Sequence, residues 1–479
     1  MLRRRALSAT AWSGADIILR QSLQFAVTIA LARLLSPAEF GTIALLSLFT
    51  GIAGAFVDSG LSAALIQRQD TTQTDESTVF WFNLAAGVLV ASALAASAGW
   101  IATFYNAPVL VSLVWVMAAN VLLSALGAIH GTLLTKRLDF RTQMKIGGIA
   151  SAISGGLAIW MALLGFGVWA LACQTVAATI LSTGLLWLMS PWRPTFEFSF
   201  VSARKLFGFG GFLLAAGLLD IVYSRLYTVF IGKRYGAEDL GYFNRAEGTK
   251  QLPVGVLTGI LSRVAFPIFA EAKGDPARLR RGVRWAIRGI MLINLPMMLG
   301  LMAIAEPVVI TLFGVKWLPS VPILKVLCVA GIFWPLHVIN INVLMAQGHS
   351  ALLFRLEIVK KVIGIAMLGV GTWFGMIGIA WSMVAFGLFA FVVNSHYTRQ
   401  FLGYGAWQQI CDTAPILLLS VVMAGVVVIV ANAWSPGPLI AAIGLSALGA
   451  VTFFSIGWIM RLQALHDILY LLRGKAAIQ

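Results

Sequence analysis

Charged residues and cysteines are scarce in this sequence. Of its 479 residues, 11% are charged and 59% are hydrophobic, whereas a soluble domain carries about 25% charged residues. This composition excludes a soluble globular fold. The three cysteines, Cys173, Cys328 and Cys411, lie singly in apolar segments without a CxxC pair. The sequence therefore predicts neither a disulfide framework nor a zinc site.

Long apolar stretches take the place of soluble domains. Since about 20 apolar residues cross a bilayer as a helix, the sequence predicts an all-α polytopic membrane protein with about 14 transmembrane helices. The predicted loops are too short for a folded catalytic domain, and neither GxxxxGK[ST] nor HExxH occurs. We therefore expect a protein that is not an enzyme and has no cofactor, catalytic residue or metal site. An ion gradient, the membrane potential or the substrate gradient must supply the energy.

The basic residues predict the orientation. The net charge is +16, which in a soluble protein would suggest a nucleic-acid partner, but we expect no such partner here. With a cytoplasmic N-terminus, about 24 Lys and Arg residues fall in cytoplasmic segments and about five in periplasmic loops, so both termini are predicted to be cytoplasmic. The arginines of residues 271–288 either anchor anionic headgroups or collect an anionic lipid-linked substrate.

An internal repeat predicts the organisation of the helices. Residues 31–41 (LARLLSPAEFG) align with 231–241 (IGKRYGAEDLG), and 166–172 (FGVWALA) resemble 374–380 (FGMIGIA). Six predicted spans separate the copies, so the halves form a parallel repeat: two six-helix lobes around a central cavity, plus two C-terminal helices. The predicted divisions are the N-lobe at 1–190, a cytoplasmic linker at 191–204, the C-lobe at 205–400, and spans 13 and 14 with the cytoplasmic tail at 401–479.

Polar residues inside the predicted spans mark candidate sites, because a charge in the bilayer must face protein or water. Asp16, Arg20, Gln24 and Thr28 recur every four residues and share one helical face. They line a hydrated interior, or Asp16 and Arg20 form a pair that only joins helices. His337 and Asn340 share a face of span ten, where we expect hydrogen bonds between helices.

The remaining intramembrane charges favour an anionic substrate coupled to an ion. Arginine offers a planar fork for phosphate oxygens and lysine a compact charge, which together suit a diphosphate. The candidate substrate-binding residues are Arg20, Gln24, Arg225, Lys250 and Arg263. The candidate ion-coupling residues are Asp16, Asp58 and Asp220, of which Asp58 has no charged neighbour within one helical turn.

Three further segments carry a family resemblance: LLSPAEFG at 34–41, LGYFNRA at 240–246 leading into Leu252-Pro253, and VAFP at 264–267. The chain resembles the polysaccharide-transport branch of the multidrug/oligosaccharidyl-lipid/polysaccharide exporter superfamily, the Wzx-type flippases. The resemblance implies that undecaprenyl-diphosphate-linked oligosaccharide moves from the cytoplasmic to the periplasmic leaflet of the bacterial inner membrane. It also implies that Arg20 and Arg263 line the cavity, and that membrane lipids and the polymerase and glycosyltransferases of the pathway are partners.

Two other classes stay open at this point. A drug/cation antiporter of the same superfamily would favour acidic cavity residues, and the mixed intramembrane charges only lean towards an anion. An integral-membrane glycan polymerase would need a large periplasmic loop with basic catalytic residues. The longest predicted periplasmic loop, 232–243, is short for that role.

Overall fold

The computed structural model describes residues 2–58, 60–68, 70–434 and 437–460, with side chains except at 2–11, 209, 260–268, 270, 273, 350 and 351. These residues form helices and connecting loops, without a β-strand. The all-α membrane fold is thus confirmed. Twelve candidate membrane spans lie in this part of the chain, and one of them, Leu352–Leu402, contains two helices. The number of about 14 spans stays a prediction.

The chain forms two compact units that divide after Gly241. The helices of the first unit are α1 (Leu2–Leu34), α2 (Pro37–Leu45), α3 (Ser47–Asp58), α4 (Leu61–Gln67), α5 (Gln73–Ala96), α6 (Ala98–Tyr105), α7 (Val109–Lys136), α8 (Phe140–Leu163), α9 (Val168–Met189) and α10 (Phe200–Arg234). Within it, α1 packs along α8, α5 along α7, and α10 on α3 and α4.

The second unit begins inside α11 (Ala237–Glu271). Its further helices are α12 (Pro276–Ala303), α13 (Ala305–Phe313), α14 (Ser320–Ala346), α15 (Ser350–Gly371), α16 (Gly375–Leu402), α17 (Ala406–Ala433) and α18 (Pro438–Ile459). Within it, α14 packs along α16, and α12 along both α14 and α17. The lobe boundaries given by the sequence stay a prediction.

The SPAEFG segment starts α2 for clear local reasons. Ser36 is the N-cap, and its hydroxyl accepts from the Glu39 backbone N–H while the Glu39 carboxylate accepts from the Ser36 N–H, which forms a capping box. Pro37 occupies the first turn, where its missing N–H costs nothing.

The first pair of repeat segments meets in the first unit. Gly41 lies against the backbone of Ala237, and Gly241 lies against the backbone of Pro37. Each glycine thus contacts the other copy four residues before the glycine's own equivalent. Two copies related by a local two-fold axis make such reciprocal contacts. The second pair shares a local conformation, since Gly167 and Gly375 both have positive φ at the start of a helix.

Candidate functional site

Arg20, a predicted substrate-binding residue, is held by two hydrogen-bond partners in the first unit. Its Nε donates to Asp16 Oδ1 at 2.6 Å, and its Nη2 donates to the Gln143 carbonyl oxygen of α8 at 2.8 Å. The Asp16 side chain is 15% exposed and that of Arg20 is 43% exposed. The pair predicted from the four-residue spacing therefore forms, and its cation stays accessible.

Helices α7 and α8 fix the position of the Arg20 guanidinium. Gln143, whose carbonyl holds Arg20, donates from Nε2 to Gly131 O and Thr135 Oγ1 of α7. Gly147 lies against the guanidinium so closely that a methyl group there would be 2.1 Å from Arg20 Cζ. The side chain is thus oriented by three helices.

Arg20 has donors to spare. A guanidinium carries five N–H groups, and those used within the described residues go to Asp16 and Gln143. Arg20 also lies eight residues into the apolar span Trp12–Leu34, which is about 12 Å along a helix. The arrangement can bind an anion within this candidate membrane span.

The other first-unit candidates lie apart from this pair along the chain. Gln24 is exposed one turn further along α1, and Asp220 and Arg225 are exposed on α10. Asp58 is exposed as the last residue of α3. A carboxylate at a helix C-terminus adds its charge to the negative end of the helix dipole, so this end of α3 favours a bound cation.

Lys250 is buried and forms an ion pair in the second unit. Its Nζ donates to Glu247 Oε1 at 2.8 Å, and its side chain is 11% exposed. The aliphatic stem lies beside Gly331 of α14. The side chain of Arg263 lies outside the described residues, so the pairing of Arg20 with Arg263 stays a prediction.

A polar cluster in the second unit was not predicted as a site. Lys360 of α15 is completely buried and donates to Glu357 Oε1 and to Asn394 Oδ1 of α16. Asn394 in turn contacts His337 of α14. Helix α15 runs from Ser350 to Gly371, so Lys360 lies in the middle of the helix.

The expected hydrogen bonds of span ten are confirmed. His337 Nδ1 is 2.8 Å from Asn394 Nδ2, and Asn340 bonds to Thr398 of α16 and Gln409 of α17. The Asn340 bonds are buried and the His337 contact is partly buried, and together they join α14 to both neighbouring helices.

Two of the basic-segment arginines are engaged within the protein. Arg284 donates from Nε and Nη2 to Asp412 of α17 at 2.6 Å, and Arg288 also donates to that carboxylate. Tyr404, in the loop before α17, donates to Asp412 Oδ2 at 2.9 Å. Burial first, and then this hydrogen bond, raise the pKa of Tyr404. Arg280 and Arg281 are exposed on α12, and so is Arg278, whose Nη2 lies 3.5 Å from Glu271 Oε1.

The fold and these sites define a multi-pass helical membrane protein with charged side chains held inside each unit. Among the described residues, no group of three His, Cys, Asp or Glu side chains is placed to hold a metal ion. Two solved structures share the fold. One is "Lipid II flippase MurJ, inward closed conformation", with a TM-score of 0.78 and 14% identity over 95% of this chain and 99% of that one. The other is an inward-facing MATE family multidrug transporter, with a TM-score of 0.64 and 17% identity over 81% and 98%.

Sequence comparison gives the family. The family described as "Polysaccharide biosynthesis protein" matches residues 30–322, and "Lipid II flippase MurJ" matches 239–444. The chain is 32% identical to the teichuronic acid biosynthesis protein TuaB of Bacillus subtilis over 74% of each chain. It is 29% identical to the succinoglycan biosynthesis transport protein ExoT of Rhizobium meliloti over 71% of this chain and 69% of that one. The chain belongs to the polysaccharide biosynthesis protein family, as its motifs indicated.

Proposed function

We propose that this protein is a flippase that moves undecaprenyl-diphosphate-linked oligosaccharide from the cytoplasmic to the periplasmic leaflet of the bacterial inner membrane. Family membership supports a role in polysaccharide biosynthesis, and the names of TuaB and ExoT place such relatives in the same process. The substrate serves O antigen, capsule or exopolysaccharide synthesis. The polymerase and glycosyltransferases of that pathway would act before and after transport.

The seated Arg20 is the observation that carries this proposal. A diphosphate in a low-dielectric site needs a cation with a fixed position. Arg20 is oriented by Asp16 and Gln143, and its other N–H groups have no partner among the described residues. Gln24, one turn along α1, would contact the substrate next. Lys250, Arg225 and Arg263 complete the proposed set of substrate-binding residues.

Transport would proceed by alternating access coupled to an ion gradient. Asp58 is the first coupling candidate because it is exposed at a helix C-terminus. Asp220 and Asp16 are the others, although Asp16 already neutralises part of Arg20. The drug/cation antiporter is the alternative, and its cationic substrate would be repelled by an accessible arginine. We propose no catalytic step.

Substitution of Arg20 tests the proposal directly. Arg20→Ala should abolish movement of the lipid-linked glycan in reconstituted vesicles, measured as glycan accessible to an external lectin. Arg20→Lys keeps the charge but loses the bidentate fork, so partial activity is expected. Restored transport in the double variant Asp16→Ala/Arg20→Ala would show that the pair only joins helices. Unchanged transport in Arg20→Ala would remove the residue from the substrate path.

A further inference from the structure

The Lys360 cluster in the second unit differs from an ordinary surface ion pair in its burial. The Lys360 side chain is 1% exposed, and its Nζ lies 2.5 Å from Glu357 Oε1 and 3.1 Å from Asn394 Oδ1. Glu357 is 33% exposed. The ammonium group is thus buried, while its carboxylate partner is partly exposed at the protein surface.

All parts of the cluster lie at similar depth. Lys360 is ten residues from the start of α15, Asn394 is eight residues from the end of α16, and His337 is nine residues from the end of α14. These separations correspond to about 12–15 Å along each helix. A charge at this depth in a membrane-spanning helix is a functional candidate, because it is costly to maintain.

The directions of the hydrogen bonds in the cluster indicate which nitrogen atoms carry a proton. Asn394 accepts from Lys360 through Oδ1, so its Nδ2 donates to His337 Nδ1. An imidazole nitrogen that accepts carries no proton, so this contact holds the imidazole neutral. The groups facing Lys360 are therefore Glu357 on its own helix, the Asn394 amide on α16 and, beyond that amide, neutral His337 on α14.

A purely structural role would not call for a lysine here. Replacing a buried ion pair by apolar residues is often neutral or stabilising, so helix adhesion alone would not retain it. Lys361 adds a second positive charge at the next residue, which opposes the charge on Lys360. Lysine can lose its proton in a protein, whereas arginine cannot.

We propose that Lys360 and Glu357 form a proton-binding site that couples transport to a proton gradient, an inference that rests on the proposed flippase function. In the loaded state Lys360 is an ammonium and Glu357 a carboxylate. On release, an N–H bond of Lys360 breaks and its electron pair stays on Nζ. The proton passes to Glu357 Oε1 and from there to water, which leaves an amine beside a carboxylate. Uptake reverses these steps.

Vesicles with the full-length protein and undecaprenyl-diphosphate-linked oligosaccharide provide the test. A lectin outside reports glycan movement, and a pH-sensitive dye inside reports proton movement. In the wild type, an imposed pH gradient should accelerate glycan movement and protons should move with it. Lys360→Arg keeps the charge but holds its proton, so glycan movement should continue, with proton movement and gradient acceleration reduced at least tenfold. Lys361→Arg is the matched control and should behave as the wild type does.

The outcomes separate the two proposals. Wild-type proton movement in Lys360→Arg would overturn the proton site while the flippase function stands, and so would a wild type that moves glycan without protons. A wild type that moves no glycan would refute the flippase function itself. If Lys360→Arg moves no glycan, Glu357→Gln decides: it should move glycan without protons. Proton movement by Glu357→Gln, or its failure to move glycan, would count against the site.

Discussion

At the residue scale, Gly147 leaves the space that the Arg20 guanidinium occupies. A methyl group at position 147 would lie 2.1 Å from Arg20 Cζ and 2.2 Å from Arg20 Nε. Because the obstructed atoms belong to the far end of a flexible side chain, Gly147→Ala should keep its fold but displace the guanidinium. We expect glycan movement in vesicles to fall on the order of tenfold or more, since small misplacements of a binding group are costly.

Gly156 on the same helix is the matched control for this prediction. No atom lies within 4 Å of a methyl group at Gly156, so Gly156→Ala should transport as the wild type does. Similar transport by the two variants would show that the seat of Arg20 does not matter. Melting temperatures measured by tryptophan fluorescence would confirm that both variants are folded.

At the element scale, Asp412 joins α17 to α12. Its carboxylate accepts from Arg284, Arg288 and Tyr404, and the side chain is only 9% exposed. Tyr404→Phe removes one hydrogen bond to a charged group, which we expect to lower the stability of the protein by about 1.5–3 kcal/mol. Thermal unfolding in detergent measures this change. Tyr397→Phe is the control, because no hydrogen bond of the Tyr397 hydroxyl is present among the described residues.

The same contact predicts a pH dependence. Burial and the Asp412 hydrogen bond raise the pKa of Tyr404, so the folded protein binds the phenolic proton more tightly than the unfolded chain does. The contribution of this hydrogen bond to the stability of the protein is therefore complete below about pH 10, the ordinary pKa of tyrosine. It falls as the pH rises further. The stability difference between wild type and Tyr404→Phe should be constant up to about pH 10 and shrink as the pH rises above that value. A difference that stayed constant above that value would contradict the assignment.

The reciprocal contact of the repeat segments gives another prediction at this scale. A methyl group at Gly41 would lie 1.6 Å from Ala237 O, and one at Gly241 would lie 2.0 Å from Pro37 O. The obstructing atoms are backbone, so the helices must separate, at a cost of about 1–3 kcal/mol or more. We expect Gly41→Ala and Gly241→Ala to lower the melting temperature clearly. Gly248→Ala, which meets no atom within 4 Å, should not.

At the scale of the whole molecule, the sequence pattern predicted the features that depend on residues close together in one helix. Apolar length predicted the helices, and the four-residue spacing predicted the Asp16–Arg20 pair, because both depend on neighbours in one helix. The Arg284–Asp412 contact joins residues 128 positions apart, which no helical period reveals. Lys360 was not predicted as a site because charged residues close to the start of an apolar segment lower its mean hydropathy and resemble the end of a membrane span. In the structure, α15 begins ten residues before Lys360.

Orientation in the membrane is the remaining property of the whole molecule, and the positive-inside bias predicts it. Helix α11 has 35 residues, a length of about 52 Å that exceeds a bilayer. Arg234, just before α11, and Gly274, just after it, should therefore lie on opposite sides, and both are exposed. In a variant with Cys173, Cys328 and Cys411 replaced by alanine, an impermeant maleimide should label Arg234→Cys in intact cells. Gly274→Cys should react only after lysis, because the arginine-rich start of α12 is expected to face the cytoplasm. The reverse labelling would invert the orientation and, with it, the direction of transport that we propose.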